Sequence, residues 1–266
     1  MPLTTHHFKL ITMFHNIFDS HAHYDDSWFD EDRESLLASL PQKGVCGIVN
    51  NSVDIENAKR VIALAERYDF IYAAVGCHPE NLEDLPEEYL GQIAALTAHP
   101  KVVAIGETGL DYHWDIHKPL QLRAFEEQLR LSLDLRMPIV VHDREAHGDT
   151  FDLLRKYRPK ALVHCFSGSV ELMREAMRLG CYISLGGVVT FKNARHSVEV
   201  AAEIPLDRLL LETDAPYMAP VPFRGKRCDS SMILYAAEKI AALRGLTAQE
   251  LLNITADNAK TFYNIG

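Results

Sequence analysis

The chain has 266 residues, 47% of them hydrophobic, and its 37 Asp and Glu against 27 Lys and Arg give a formal net charge of −10. This length can bury a large core as one domain. The acidic balance excludes a protein that coats nucleic acid by bulk positive charge, although a local basic patch is compatible with it.

The five cysteines lie far apart in the sequence and form no C-x-x-C pair. We therefore expect free thiols and a reducing, cytoplasmic location. No apolar run approaches the ~20 residues of a membrane span, so no membrane association is expected. Residues 1–13 lack the long apolar region of a signal peptide, and we expect an N-terminal extension there, followed by a single domain over residues 14–266. Nothing in the sequence requires a protein partner.

Short apolar runs rich in Val and Ile alternate along the chain with longer segments of helical period. This alternation is typical of β-α units around a parallel sheet. Eight such runs are predicted to be strands, and they cover residues 16–23, 44–52, 70–79, 102–111, 138–143, 161–168, 181–187 and 208–216.

The segments between these runs have the pattern of outer helices. Residues 54–68 and 120–136 each place apolar side chains on one face and polar side chains on the other, as a helix packed outside a sheet requires. Residues 230–245 and 247–265 supply two further helices after the last strand. Thr247 and Glu250 fit a capping box at the start of the second.

Eight strands that alternate with helices over roughly 250 residues predict a (β/α)8 TIM barrel, in an α/β single domain with extra C-terminal helices. The alternative is a doubly wound open sheet. No G-x-G-x-x-G fingerprint follows the first strand, so a dinucleotide-binding fold has no support.

Imidazoles and carboxylates recur at the carboxyl ends of the predicted strands. In a barrel these ends meet at one mouth, where the active site lies. Alternation along the first strand puts His21 and His23 on the same face, so both can point to a common site. The strand-end groups are His21, His23, His78, Glu107, His142, His164, Glu212 and Asp214.

Six of these groups are predicted to bind metal. Neutral imidazole nitrogens and carboxylate oxygens suit Zn, Mn and similar divalent ions. Because three protein ligands and a water complete a typical catalytic zinc site, six converging groups predict two ions with a shared carboxylate. Glu107 is the predicted bridge. One ion is assigned His21, His23 and Asp214, and the other His142 and His164.

Simpler interpretations of single residues remain open. A lone strand-end histidine is more often a hydrogen-bonded structural residue than a ligand, but coincidence is the weaker explanation for six such positions. His78 is predicted to contact substrate, although Pro79 after it could simply end the strand. Asp111 and His113 could be loop residues with no function. Asp19 is the predicted brace of the two histidines that follow it.

A basic loop, FRGKRCD at residues 223–229, follows the last strand. It puts Arg224, Lys226 and Arg227 at the predicted mouth, where barrels commonly bind phosphate. Arg144, two residues after His142, is predicted to join them in holding substrate. The simpler interpretation is a solvated charged loop.

These motifs together resemble the TatD family of metal-dependent deoxyribonucleases, in the amidohydrolase superfamily. The resemblance runs from about Asn16 onward and depends on DSHAH (family D-x-H-x-H), GCHP, IGETGLD, VVHDREA, HCFSGS and LLLETDAP. It implies a TIM barrel, the same six ligands, and two ions of Mg, Mn or Zn. It also implies hydrolysis of phosphodiesters in single-stranded or damaged DNA, often by a 3′-to-5′ exonuclease, with His78 in contact with phosphate.

The basic loop departs from the family pattern R-G-K-x-N-x-P at two positions. Cys228 stands where Asn is expected, and Ser230 stands where Pro is expected. Loss of the amide removes a hydrogen-bond donor and acceptor. We expect metal binding to survive, and substrate choice or rate to be affected.

The predicted mechanism is attack on phosphorus by metal-activated hydroxide, with Glu107 and Asp214 as the catalytic residues. Asp214 orients the water or takes its proton, while His78, Arg144, Arg224 and Lys226 hold the phosphates. The alternative is hydrolysis of a carbonyl ester or amide such as a lactone, a cyclic amide or an aminoacyl-tRNA ester. Relatives of that kind usually bridge their metals with a carboxylated lysine, where this chain has Glu107. A non-catalytic barrel would be marked by a missing ligand, and none is missing.

Overall fold

Eight parallel strands form a single sheet whose spatial order, β1 to β8, is the order of the chain. The structure is a computed structural model that describes residues 14–266; the predicted extension at residues 1–13 lies outside the described residues. The strands are β1 (Ile17–Ala22), β2 (Val45–Asn51), β3 (Ile71–Val75), β4 (Val102–Asp111), β5 (Ile139–Arg144), β6 (Ala161–Val163), β7 (Tyr182–Leu185) and β8 (Leu209–Leu211).

An α-helix follows each of the first seven strands, and two more follow β8. They are α1 (Arg33–Ser39), α2 (Ile55–Arg67), α3 (Tyr89–Leu96), α4 (Lys118–Leu135), α5 (His147–Tyr157), α6 (Val170–Leu179), α7 (Arg195–Glu203), α8 (Ile233–Arg244) and α9 (Ala248–Tyr263). The capping box of Thr247 and Glu250 at the start of α9 is present. The predicted (β/α)8 barrel with extra C-terminal helices is confirmed, and the open-sheet alternative is wrong.

Two apolar layers hold the barrel together. The larger one lies between the sheet and the surrounding helices. The smaller one takes one residue from every strand, and residues from eight strands can meet in one cluster only inside the barrel. These residues are Phe18, Val49, Ala74, Ala104, Val140, Leu162, Tyr182 and Leu210. Because side chains alternate along a strand, Val140 and His142 share the inner face of β5.

The last helix ties the end of the chain back to its beginning. The Tyr263 hydroxyl donates a hydrogen bond to the Ser20 carbonyl oxygen at 2.8 Å. Asn16 Nδ2 donates to Asn253 Oδ1 at 3.0 Å. Tyr263 and Phe262 also pack in the cluster that contains Phe18. Residues of α9, more than 200 positions away in the sequence, therefore help to stabilise β1.

The seam between β1 and β8 is closed differently from the other strand pairs. Within the described residues the bridge at this seam is an isolated one, Ala22 to Ala215, beyond the end of β8, whereas each other pair of neighbouring strands forms a ladder, with register shifts in three of the ladders. The buried carboxylate of Asp19 spans the gap. It accepts hydrogen bonds from the Thr213 amide (2.9 Å), the Thr213 hydroxyl (2.5 Å) and the Ser230 hydroxyl (2.7 Å). Its predicted role as a brace thus extends to the closure of the barrel.

β6 and β8 are shorter than the predicted runs, and β4 covers residues 102–111 as predicted but holds Glu107 at a different position. β6 and β8 are three residues long, so His164 and Asp214 lie beyond their ends. β4 is ten residues long, so Glu107, predicted at a strand end, lies inside the strand. The reason is that the ladder between β4 and β5 resumes after a register shift and continues to the pair Asp111 and Arg144.

All five cysteines are free thiols. Among residues 14–266, every helix is too short or too polar to cross a membrane. The cytoplasmic location stays a prediction.

We expect the substitution Asp19→Ala to destabilise the fold by about 2–5 kcal/mol, because it leaves several buried donors of the seam without an acceptor. Urea unfolding followed by circular dichroism measures this change. The matched control is Asp152→Ala, which removes an exposed carboxylate on α5. Equal unfolding midpoints for the two variants would show that the seam does not depend on Asp19.

Candidate metal centre

Glu107 lies at the centre of the six predicted ligands, and its two oxygens face different pairs of histidines. Oε2 is 3.2 Å from His21 Nε2 and 3.3 Å from His23 Nε2. Oε1 is 2.8 Å from His142 Nδ1 and 2.7 Å from His164 Nε2. One carboxylate therefore faces two separate sets of nitrogen donors, each set next to one of its oxygens.

Asp214 joins the first set. Its Oδ1 is 3.7 Å from His21 Nε2 and 3.6 Å from His23 Nε2. The backbone holds Asp214 there, because its amide donates to the His21 carbonyl oxygen at 3.0 Å across the seam. Asp214 has a left-handed backbone, with φ of 60°, which turns the chain sharply after β8. The seam thus places ligands from the first and last strands side by side.

A glycine sets the approach of β4 to β5. Gly109 has φ of 142°, and a Cβ at this position would lie 2.0 Å from the His142 carbonyl oxygen. Only glycine fits so close to a neighbouring backbone in this conformation. The ETGLD motif therefore supplies Glu107 and also the contact that brings His142 to it.

The charge of Glu107 is held in a dry environment, since its side chain is 3% exposed and that of His21 is fully buried. Burial opposes ionisation, but interactions with the neighbouring imidazoles, those of His164, His21, His78 and His142, outweigh it and hold the pKa of Glu107 well below its usual range. Burial lowers the pKa of His21 to about 3, so this imidazole is neutral. For His23 and His142, the neighbouring carboxylates outweigh burial and raise the pKa of each to about 9. A metal ion binds the neutral form of imidazole.

The pKa of Asp214 is shifted in the opposite direction from that of Glu107. Burial raises its pKa to about 6, and the charges of His23 and His164 offset only part of that effect. A carboxylate with a raised pKa near neutral pH is suited to accept a proton.

Two groups that the sequence did not assign orient the histidines. Asp111 Oδ2 is 2.9 Å from His142 Nε2, and the Asn51 carbonyl oxygen is 3.0 Å from His23 Nδ1. Each contact leaves the other ring nitrogen facing Glu107. Asp111 is the fully buried last residue of β4, so its interpretation as a loop residue is wrong. Its spacing of four from Glu107, on the same face of an alternating strand, is the signal that could have found it.

His78 lies in the centre itself. Its Nε2 is 3.4 Å from Glu107 Oε1, on the side of His142 and His164. Its Nδ1 accepts a hydrogen bond from the Glu80 amide at 3.2 Å. Because Nδ1 already accepts this hydrogen bond, Nε2 is the ring nitrogen that can contact a molecule bound at the centre.

The predicted basic residues divide into two groups. Arg144 is exposed at the end of β5, with its guanidinium 5.8 Å from the Trp114 ring centroid. Arg224 lies in the loop after β8, 4.1 Å from the Phe191 ring centroid, and Lys226 is exposed in the same loop. Arg227, in the same loop, forms a two-pronged ion pair with Asp32, at 2.7 and 2.6 Å. The positive charge of Arg227 is therefore paired with a carboxylate of the protein itself.

The two departures from the family loop pattern lie in the interior. Cys228 is buried, and its amide donates to the Pro216 carbonyl oxygen at 2.9 Å. Ser230 is fully buried; its hydroxyl donates to Asp19, and its amide donates to the Tyr24 hydroxyl at 2.8 Å. Proline has neither donor. Ser230 therefore stabilises the seam.

The donor set fits divalent metal ions. Three groups of side chains each bring ligand atoms within 4.8 Å of one another: His21 with His23 and Glu107, His21 with His164 and Asp214, and His78 with Glu107 and His142. Four imidazoles and two carboxylates without a thiolate match the ligands of Zn or Mn rather than those of a structural zinc site.

Comparison with known proteins agrees with this geometry. The family model described as TatD related DNase matches residues 18–264. A Bacillus subtilis protein named uncharacterized metal-dependent hydrolase YabD is 45% identical over 94% of this chain and 99% of its own length. The 3′-5′ ssDNA/RNA exonuclease TatD of Musicola paradisiaca is 33% identical over 94% of this chain and 98% of its own length.

A solved structure agrees as well. The structure of YJJV, a TatD homolog from Escherichia coli K12, superposes with a TM-score of 0.87 at 35% identity, covering 96% of this chain and all of that one. The match of the family model over nearly all described residues and the cluster of histidines and acids at the mouth of the barrel point the same way. The chain belongs to the TatD related DNase family and is a metal-dependent hydrolase.

Proposed function

We propose that this protein cleaves phosphodiester bonds of single-stranded or damaged DNA, as a 3′-to-5′ exonuclease that uses two divalent ions. The observation that carries the proposal is the position of Glu107, whose two oxygens face two separate pairs of histidines. Relatives named 3′-5′ ssDNA/RNA exonuclease TatD, at 33% and 34% identity, support the choice of substrate.

The proposed ligands follow the two sides of Glu107. His21, His23 and Asp214 would hold one ion, His142 and His164 would hold the other, and Glu107 would be shared between them. Ions of Zn, Mg or Mn bound there would lower the pKa of a water molecule and offset the charge that develops on the phosphate oxygens. Asp111 and the Asn51 carbonyl oxygen keep the ligand nitrogens turned inward.

The chain's own groups have defined tasks in this proposal. An Asp214 carboxylate oxygen, next to His21 and His23, accepts the proton of the attacking water. His78 Nε2, at the edge of the centre, donates to a phosphate oxygen. Arg144, Arg224 and Lys226 attract the phosphates that flank the scissile bond.

Hydrolysis of a carbonyl ester or amide is the second candidate, because the same centre can activate water against a carbonyl carbon. The non-catalytic alternative lacks support, since all six ligands are present and converge. A substrate panel separates the candidates. We expect cleavage of end-labelled single-stranded DNA, and no comparable cleavage of lactones, cyclic amides or aminoacyl esters.

Removal of the bridging carboxylate is the main test. We expect Glu107→Ala to lower the rate of cleavage of end-labelled single-stranded DNA by at least about 100-fold, because a ligand of both ions is lost. Chelation with EDTA abolishes wild-type activity, and Mg, Mn or Zn restores it. Glu203→Ala, at the opposite end of the barrel on α7, is the control and retains wild-type rates. Absence of cleavage by the wild type with all three metals would overturn the DNA assignment.

The proton-accepting role of Asp214 has its own test. We expect Asp214→Asn to lower kcat for DNA by about 10²–10⁴-fold, the usual contribution of a general base. Circular dichroism and metal analysis establish whether the fold and the ions are retained. Asp152→Asn is the control. A variant that keeps full hydrolysis would exclude proton transfer to Asp214.

Asp111 should act through His142. We expect Asp111→Ala to weaken binding of Mn²⁺ by about 10–100-fold, as is typical when a group that orients a ligand is lost. Isothermal titration calorimetry of the metal-free protein measures the affinity. Unchanged affinity, with the wild-type fold retained, would show that the contact to His142 does not support metal binding.

A further inference from the structure

Both tryptophans of the chain are half exposed and lie on loops at the mouth of the barrel. Trp28 follows β1 and is 56% exposed, and Trp114 follows β4 and is 49% exposed. Tyr217, in the loop after β8, is 46% exposed. Aromatic rings contribute most to stability when they are buried, so exposed rings gathered at one end of a fold indicate a binding surface.

Trp28 and Tyr217 form a pair at the seam. Their ring centroids are 6.0 Å apart, with an angle of 45° between the planes. The pair adjoins the proposed metal ligands on both chain segments. Trp28 lies five residues after His23, and the Tyr217 amide donates to the Asp214 carbonyl oxygen at 2.8 Å. The two rings thus stand beside the half of the centre formed by His21, His23 and Asp214.

One carboxylate holds both aromatic residues. Asp26 Oδ1 accepts from the Trp28 amide at 2.7 Å, and Asp26 Oδ2 accepts from the Tyr217 hydroxyl at 2.8 Å. Arg227, itself paired with Asp32, donates to the Trp28 carbonyl oxygen at 2.6 Å. These contacts anchor both residues while leaving the rings accessible to solvent. A preorganised surface of this kind loses little entropy when it binds a ligand.

The chemistry of this surface favours a flat, uncharged ligand group. The loop around Trp28 contains Asp25, Asp26, Asp30 and Asp32, of which Asp30 and Asp32 are paired with arginines. Asp26 contacts both aromatic residues and sets the charge next to their rings. A phosphate would be repelled there, whereas a nucleobase has an uncharged π-face that stacks on aromatic rings whatever its sequence. Stacking between the two rings would need about 7 Å, twice the van der Waals separation. At 6.0 Å and 45° the pair can accept a base only on its outer face.

We propose that Trp28 and Tyr217 form a stacking surface for an unpaired nucleobase, next to the phosphodiester that lies at the metal centre. This inference rests on the proposed function and adds the specificity for single strands. The base of a duplex is stacked on its neighbours and is not free to take this place. The phosphates are expected toward Arg224, whose guanidinium lies over the Phe191 ring, because Asp26 disfavours them at Trp28 and Tyr217.

Binding can be measured without catalysis. In a Trp114→Phe variant, Trp28 is the only tryptophan, so its fluorescence reports directly on this surface. We expect single-stranded oligothymidylate, added in EDTA to prevent cleavage, to quench this fluorescence. An abasic oligonucleotide of equal length should leave the fluorescence unchanged. Equal responses to the two strands, or no response to either, would overturn the proposal.

Kinetics distinguish a stacking role from a purely structural one. We expect Trp28→Ala and Tyr217→Ala each to raise KM for oligothymidylate by about 5–150-fold, the range reported for loss of one base–aromatic stack, while kcat changes little. Trp28→Phe and Tyr217→Phe keep a ring and should stay close to wild type. Tyr217→Phe also removes the hydroxyl that donates a hydrogen bond to Asp26. This variant therefore distinguishes the effect of the ring from the effect of the hydrogen bond that anchors it.

A substrate without an aromatic ring, an end-labelled abasic oligonucleotide, completes the test. We expect all four variants to hydrolyse it at the wild-type rate. If the wild type cleaves oligothymidylate and the alanine variants keep its KM, the stacking surface is wrong and the nuclease function stands. If the wild type cleaves neither phosphodiester with any metal, the nuclease function is wrong. If a protein, and no oligonucleotide, quenches Trp28, the surface serves a different class of partner and the proposal is overturned.

Discussion

The ionised carboxylate of Glu107 is buried almost completely, and the rest of the centre is arranged around it. Burial of an unpaired charge costs several kcal/mol, so a charge in this position requires positive groups or a metal ion against both oxygens. The barrel surrounds this carboxylate with imidazoles from different parts of the chain, with His21 and His23 on one side and His142 and His164 on the other. A divalent cation next to Glu107 would also compensate its buried negative charge.

The strands can deliver these groups only if the barrel is closed, and closure at the seam depends on side chains. Between β1 and β8, the carboxylate of Asp19 takes the place of backbone acceptors, and Ser230 and Tyr24 complete the network. Asp214 reaches the centre from this seam. Stability and chemistry are therefore coupled at Asp19, which stabilises the chain segments that carry His21 and Asp214.

Periodicity and strand-end chemistry were enough to predict the barrel and the convergence of six ligands. Both are local signals, since alternation is visible within a run and the ends of parallel strands always meet. The contacts of Asp111 and Arg227 were not accessible in that way. Asp111 meets His142 because of the register between β4 and β5, and Arg227 meets Asp32, 195 residues away in the chain. Register and distant ion pairs depend on packing that no single segment reveals. The position of Glu107 inside a long β4 has the same origin.

The hydrogen bond from Tyr263 to Ser20 joins residues 243 positions apart, and with it α9 packs against the first strand. During synthesis, β1 leaves the ribosome long before the helix that covers it. The barrel can therefore reach its final packing only after the last turns of the chain have emerged, and until then the edges of β1 and β8 are open to other chains. Long sequence separation of this kind also slows folding, because distant segments must meet before their contacts stabilise them. Folding is therefore completed only when α9 has been synthesised and has packed against β1.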